Sequence, residues 1–252
     1  MDPNAQTAAT AHFVLTRFNV PLSFVRQKYG LDDQWLEHRF ALFENFCLPS
    51  VAAQTKRDFH WMLLIDEKTP KRWRTRLERD VEALPQAHII PTDACSEAFF
   101  IREIQKCSGP NLPGTIISTR LDNDDAIARD YLEKISKSAE PVLGKNRHYV
   151  VNFRRGCQLS KTGVFGVRFK LNAFLSMVSP SNDLKTVACQ EHGKMDEIAE
   201  VIDHRGFFNR TPNWLQVIHT VNIANDLNRR RKPVDESALE RFALGSNWRS
   251  LL

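Results

Sequence analysis

The first apolar run, His12-Phe13-Val14-Leu15-Thr16-Arg17-Phe18-Asn19-Val20, is rich in strand formers and predicts a first strand. From Asp32 the period changes. Trp35, Leu36, Arg39, Phe40, Leu42, Phe43 and Phe46 recur at three and four, which predicts a helix capped by Asp32 or Asp33 and stopped by Pro49. Residues 59–66 read as a buried strand ending in Asp66, and Thr69-Pro70 opens a basic amphipathic helix reaching about Leu84. Residues 88–91 predict a third strand, 98–106 a helix, and 114–121 a fourth strand. That strand runs straight into Asp122-Asn123-Asp124-Asp125, and a helix over about 126–138 should follow. Strands alternating with helices predict an α/β fold with a mixed, mostly parallel sheet flanked by helices. Sheets of this kind bind ligands beyond the carboxyl ends of their strands, where Asp66 and Asp122 fall.

The second half reads differently. Residues 148–153 and 163–169 are both strand-like, and the short gap between them predicts antiparallel pairing. A short helix is expected over 172–178, a short strand over 186–190, an apolar segment from Trp214 to His219, and a polar helix toward Asn228. No internal repeat or linker interrupts the chain. Residues 1–10 read as a flexible tail and 11–252 as one domain.

Composition narrows the class without naming a function. Of 252 residues, 42% are hydrophobic and 26% charged, which excludes a disordered or collagen-like chain. No stretch approaches the roughly 18 apolar residues of a membrane span. Residues 1–11 hold no Lys or Arg, so a secretory leader is not expected, and the location is read as cytoplasmic. The five cysteines are odd in number and widely spaced with no Cys-x-x-Cys, so a disulfide framework or zinc ribbon is not expected and the thiols read as reduced. The net charge of +5 owes much to Arg229-Arg230-Arg231-Lys232. That run suits either an anionic headgroup, giving peripheral membrane contact, or a helix end favoured by its dipole. With no recognition motif and no basic stripe, a nucleic-acid partner is not expected.

The most informative segment is Thr119-Arg120-Leu121-Asp122-Asn123-Asp124-Asp125-Ala126. Three carboxylates within four residues repel one another at the end of a buried strand unless a cation neutralises them. Their hard oxygens suit Mg²⁺ or Mn²⁺. The competing account is that Asp124 or Asp125 caps the following helix, which explains one or two acids but not all three.

This strand-to-acid junction resembles the Asp-x-Asp motif of GT-A glycosyltransferases. In an ordered set with residues 12–19, 35–44, 48–55, 59–61 and 214–219, it resembles the rhamnosyltransferase family of bacterial GT-A-like proteins. The resemblance spans about residues 12–225. It implies a GT-A-like (Rossmann-like) fold and a nucleotide-diphospho-sugar donor, dTDP-rhamnose by the family's label. It also implies a glycan or lipid-linked acceptor and a divalent ion, Mg²⁺ or Mn²⁺. In that frame Asp122 would lie near the ribose or the metal's water shell, Asp124 would bind the metal, and Asp125 would support or share that role. His219 would be a further metal ligand or, alternatively, a buried hydrogen-bonded histidine. The loop from Thr16 and Arg17 would face the nucleotide, with Arg17 on a phosphate or in a surface ion pair. Asp66 would meet the base or ribose, or else form a turn. Arg120 would neutralise the acids or touch phosphate. Glu191, with His192 and Asp196 as rivals, would supply the base that deprotonates the acceptor hydroxyl. Trp214 would wall the acceptor or belong to the core.

Two other functions remain compatible with the residues. Clustered acids also serve metal-dependent phosphoesterases and nucleases, although no second acid or His cluster completes a two-metal site in the sequence. A non-catalytic nucleotide-sugar-binding module would keep the same scaffold.

Overall fold

The structure is a computed structural model that describes residues 9–21, 30–203, 211–219, 227–228 and 230–252. Its first half alternates as the hydrophobic pattern predicts. Strand β1 (Thr10–Arg17) leads to helix α1 (Asp33–Leu42), whose first turn is capped by Asp32 accepting from the Trp35 amide. Next come α2 (Leu48–Ala52), β2 (His60–Ile65), α3 (Lys71–Val81), β3 (Ala87–Pro91), α4 (Glu97–Ser108) and β4 (Thr115–Arg120). Strands β1 to β4 run parallel in the order β4-β1-β2-β3.

Alternate residues bury both faces of this sheet. Val14, Trp61, Leu63 and Ile65 pack with Leu36 and Phe40 of α1 and Trp73 and Leu77 of α3. Phe13, Leu15, Met62 and Leu64 pack with Phe99, Phe100 and Ile104 of α4. Two-sided burial explains why these strands read as apolar runs rather than as alternating ones.

The segment after Pro49 corrects one expectation. The helix does not stop there. It widens into a π-helical turn over Phe43–Cys47, with the Leu48 amide reaching back to the Phe43 carbonyl, and continues as α2 with Pro49 in its first turn. Pro49 has no N–H to give the Asn45 carbonyl, its ordinary helical partner. That carbonyl accepts the Gly245 amide at 2.8 Å instead. A Cβ on Gly245 would lie 2.5 Å from the Asn45 side-chain oxygen, so this close approach needs glycine.

Beyond β4 the chain departs further from the pattern. No helix begins at Ala126. Ala126–Ile127 forms a short strand, β5, and helix α5 starts only at Tyr131 and ends at Ala139. The segments 148–153 and 163–169 do not pair with each other. Strand β6 (Tyr149–Asn152) joins the large sheet, while β7 (Arg155–Ser160), in the gap between them, forms a hairpin with β8 (Gly163–Arg168). The gap itself supplies the nearer partner, and it was too polar to stand out as a strand. The short helix expected over 172–178 is instead β9 (Ser176–Pro180), lying antiparallel between β4 and β6. Residues 186–190 form turns rather than a strand. Strands β10 (Glu200–Asp203), β11 (Trp214–Val217) and β12 (Lys232–Pro233) complete two sheets, ordered β10-β6-β9-β4-β1-β2-β3 and β12-β8-β7-β11-β5.

Trp214 belongs to the core. It is fully buried, stacks on Phe169 and Phe174, and donates its indole N–H to the Phe153 carbonyl. A Cβ at Gly156 would come within 2.1 Å of its ring, so β7 can pass the indole only with glycine there. The expected polar helix toward Asn228 and the residue Arg229 lie largely or wholly outside the described residues. Arg230 and Lys232 are exposed, and the Arg231 guanidinium lies over the Phe165 ring. No helix among the described residues is long and apolar enough to cross a membrane. The five cysteines are all free.

Candidate active site

The order β4-β1-β2-β3 places a topological switch between β1 and β4: the chain winds outward from β1 through β2 and β3, then returns to the other side of β1. A crevice opens beyond the strand ends at such a point. Arg17 ends β1 there, and Arg120 ends β4 two residues before Asp122. The acid turn is fixed by the Leu121 amide on the Leu15 carbonyl, the Asp125 amide on the Asp122 carbonyl, and the Asn123 side chain on the Phe18 carbonyl.

The three acids meet three different environments. Asp122 keeps about a quarter of its side-chain exposure (26%) and accepts Arg120 at 2.8 Å, with Arg17 at 3.6 Å. Burial pushes its carboxyl up, but Arg120 and Arg17 together hold it below the usual carboxylate range. Asp124 is buried. Its Oδ2 accepts Arg39 Nη1 at 2.5 Å and faces His219 Nε2 at 3.0 Å. Here too burial works upward and loses: Arg39 and His219 hold this carboxyl well below the ordinary value. Asp125 forms no ion pair among the described residues. It is 1% exposed and accepts the Val217 amide at 2.8 Å, with Arg120 acting on it only at a distance. Burial, then the charges of Asp124 and Asp122, push its carboxyl well above the usual range.

Neither Asp124 nor Asp125 caps a helix. Asp130 precedes α5, and its carboxylate pairs with Lys134 and Arg241. Asp125 instead ties the acid turn to β11. This places His219, two residues after Val217, against Asp124.

Arg39 is the functional residue that sequence reading passed over as one more position of an amphipathic helix. The available signal was an arginine on the apolar stripe of α1, between Leu36 and Phe40, where a charge is buried only with a partner. His38 joins it: its ring lies edge-on to His219 with centroids 5.3 Å apart. Burial and then the neighbouring His219 keep its pKa below the ordinary imidazole value. Among the described residues, Arg39 Nε and His38 Nε2 are buried atoms with no hydrogen-bond partner.

The remaining predicted residues divide. Thr16 is fully buried, and its hydroxyl accepts the Trp61 indole N–H, so it faces the sheet core. Asp66 is buried at the end of β2, where it accepts the Lys68 amide at 2.7 Å and its own amide donates to Asn19, the arrangement of a turn-forming Asp. His192 lies within the electrostatic reach of Arg120 and Asp122, and burial is the main cause that lowers its pKa. Glu191 is exposed in an ion pair with Lys194, and Asp196 is paired with Lys170. The structure thus gathers Arg17, Arg120, Asp122, Asp124, Asp125, His192 and His219 near one strand end, and leaves Thr16 inside the core.

By chemical type the carboxylates of Asp122 and Asp124 and the imidazole of His219 suit a hard divalent cation such as Mg²⁺ or Mn²⁺. The ligand atoms that lie within 4.8 Å of one another among the described residues, however, are those of a different group, His60, His88 and Cys107. The two orphaned atoms beside the acids mark a centre with unused polar capacity among the described residues. Among the described residues, Arg39 and His219 both meet Asp124 at the same oxygen, Oδ2, and leave Oδ1 outside that pairing.

Comparison with known proteins gives the family. No curated protein sequence matches the chain. Among solved structures, S. aureus TarS 1-349 in complex with UDP is similar at a TM-score of 0.48 with 9% identity, over 83% of this chain and 61% of that one. The chain therefore spans less than two thirds of that TarS structure. A "putative nucleotide-diphospho-sugar transferase" from Desulfovibrio desulfuricans G20 is similar at 0.42 with 6% identity, over 77% of this chain and 79% of that one. The 4-diphosphocytidyl-2C-methyl-D-erythritol synthase from Anaerococcus prevotii is similar at 0.37 with 10% identity, over 79% and 91%. The sequence model described as "Putative rhamnosyl transferase" matches residues 15–231, and the chain belongs to that family.

Proposed function

We propose that this protein is a metal-dependent glycosyltransferase that moves a sugar, rhamnose by its family's description, from a nucleotide-diphosphate donor to a glycan or lipid-linked acceptor. The observation that carries the reading is the gathering of Asp122, Asp124, Arg17, Arg39 and His219 at the switch between β1 and β4. Asp122, Asp124 and His219 would hold Mg²⁺ or Mn²⁺, with Asp125 bracing the turn that carries them. Such an ion neutralises the negative charge that develops on a departing nucleoside diphosphate.

The protein's own groups have separable tasks. Arg17 holds the more exposed acid, Asp122, at 3.6 Å, a loose contact that a donor phosphate can replace. Arg39 and His219 hold the Asp124 carboxyl well below the usual carboxylate range, which favours its ionised form. His192, whose pKa desolvation lowers and which lies in the field of Arg120 and Asp122, is better suited than Glu191, paired with Lys194, to take the acceptor's hydroxyl proton.

The test is calorimetric titration of nucleoside diphosphates with and without Mn²⁺, on wild type and Asp124→Asn. Mn²⁺-dependent binding that disappears in a folded Asp124→Asn protein supports the reading. Equal affinity in the two proteins overturns the metal role, and cleavage of phosphodiesters in place of nucleotide sugars overturns the transferase.

A further inference from the structure

At the opposite end of the large sheet lies a second cluster that the acid site does not use. His60 is the first residue of β2 and His88 the second of β3. In the parallel register Met62 faces His88, so His60 and His88 sit diagonally on one face of the sheet. Helix α4 packs on that face and runs back toward the strand starts, which brings Cys107, in its last turn, over the two imidazoles.

Three donor atoms converge there. His60 Nδ1 is 3.2 Å from His88 Nε2, and Cys107 Sγ is 3.3 Å and 3.7 Å from those two nitrogens. Zn–N bonds of about 2.0–2.1 Å and Zn–S of about 2.3 Å at tetrahedral angles require N···N near 3.3 Å and N···S near 3.5 Å. The three separations match the edges of such a tetrahedron with one corner open. Phe13 stacks on the His60 ring, with centroids 4.9 Å apart and planes at 18°, which holds that imidazole in place. All three residues are half-buried, which leaves a path for an ion and a water.

We infer that His60, His88 and Cys107 form a Zn²⁺ site, with water in the fourth position, that clamps β2, β3 and α4 together at the end of the sheet remote from the acids. Two imidazoles and a thiolate select zinc over magnesium or manganese, whose preference is for oxygen. The thiol proton leaves to solvent as the ion binds. The inference is independent of the proposed transferase activity, because it uses none of that site's residues.

The experiment is titration of the chelator-stripped full-length protein with Co²⁺, followed by Zn²⁺. One equivalent of Co²⁺ should produce a thiolate-to-cobalt charge-transfer band and the visible bands of a four-coordinate ion, and Zn²⁺ should abolish both. Cys107→Ser should lose the charge-transfer band, and His88→Gln should weaken Co²⁺ binding by at least about tenfold. Asp124→Asn should keep the band unchanged, and Zn²⁺ should raise the melting temperature of wild type but not of Cys107→Ser. Absence of the band at one equivalent, or its persistence in Cys107→Ser, overturns the site. Retention of the band at unchanged affinity in His88→Gln overturns it equally, by showing that the imidazole is not a ligand.

Discussion

The two ends of the large sheet hold polar clusters of opposite character. At the carboxyl ends of β1 and β4 the groups are charged: three acids with Arg17, Arg39 and Arg120. At the amino ends of β2 and β3 they are two imidazoles with lowered pKa values and a thiol whose pKa is raised by burial. The charged end draws its cations from three elements, and a late residue, His219, joins them against Asp124. The neutral end is assembled from neighbouring elements alone. Buried charge must be matched inside the fold, so losing one partner strands the other. A neutral cluster loses only a ligand. The end of the sheet facing the switch point therefore couples chemistry to folding, and the other end couples folding only to an added ion.

The sharpest way to break this contrast is Asp124→Ala. It strands Arg39, whose side chain is 8% exposed, and breaking a buried pair this way costs about 3–5 kcal/mol, readable by urea unfolding. A stability equal to wild type would mean that Arg39 finds water in the cleft. Arg39→Met should be milder, because His219 still faces Asp124. It should also move acid unfolding to higher pH. Asp124 is held below its unfolded pKa, so its contribution is full above about pH 4 and lost as pH falls toward the folded value, and that protection weakens without the guanidinium.

Asp125 carries the opposite sign. Its folded pKa is raised, so its contribution is full below about pH 4 and lost as pH rises through the folded value. Asp125→Asn keeps the acceptor for the Val217 amide without ionising. Its melting temperature should match wild type near pH 4 and exceed it at pH 7. A constant difference across pH would show that the charge is compensated. Smallest of all, Cys107→Ser in metal-free protein should shift stability by about 1 kcal/mol or less by denaturant melt. A larger loss would make the second cluster a packing element in its own right.

Much of the first half was legible because each strand and helix is long enough to show its period. The acid turn was legible for the same reason, since a buried strand that ends in three acids carries its own electrostatic problem. The second half was not. β5 is two residues long, β7 is a polar strand between two apolar ones, and residues 172–178 divide between a turn and β9. None of these leaves a period to read. The resemblance implies that the loop at Thr16 faces the nucleotide, but the face Thr16 occupies is the one filled by Trp61. Arg39 is specified by a partner 85 residues away, and His60, His88 and Cys107 meet only through sheet register and helix direction. Local spacing shows Arg39 only as a charge on an apolar stripe, without its partner, and holds no trace of the second grouping.

Pro49 has a consequence beyond the shape of its helix. By withholding one hydrogen, it turns the Asn45 carbonyl into a socket of fixed position, and Gly245 is the plug. Asn45 adds a second catch by accepting the Asn247 amide at 3.0 Å, and Trp248 comes to rest near Phe46. An imino acid usually described as a breaker acts here as an address. It tells a segment some two hundred residues further along the chain where to land, and a helix with all its carbonyls satisfied would have offered no such place.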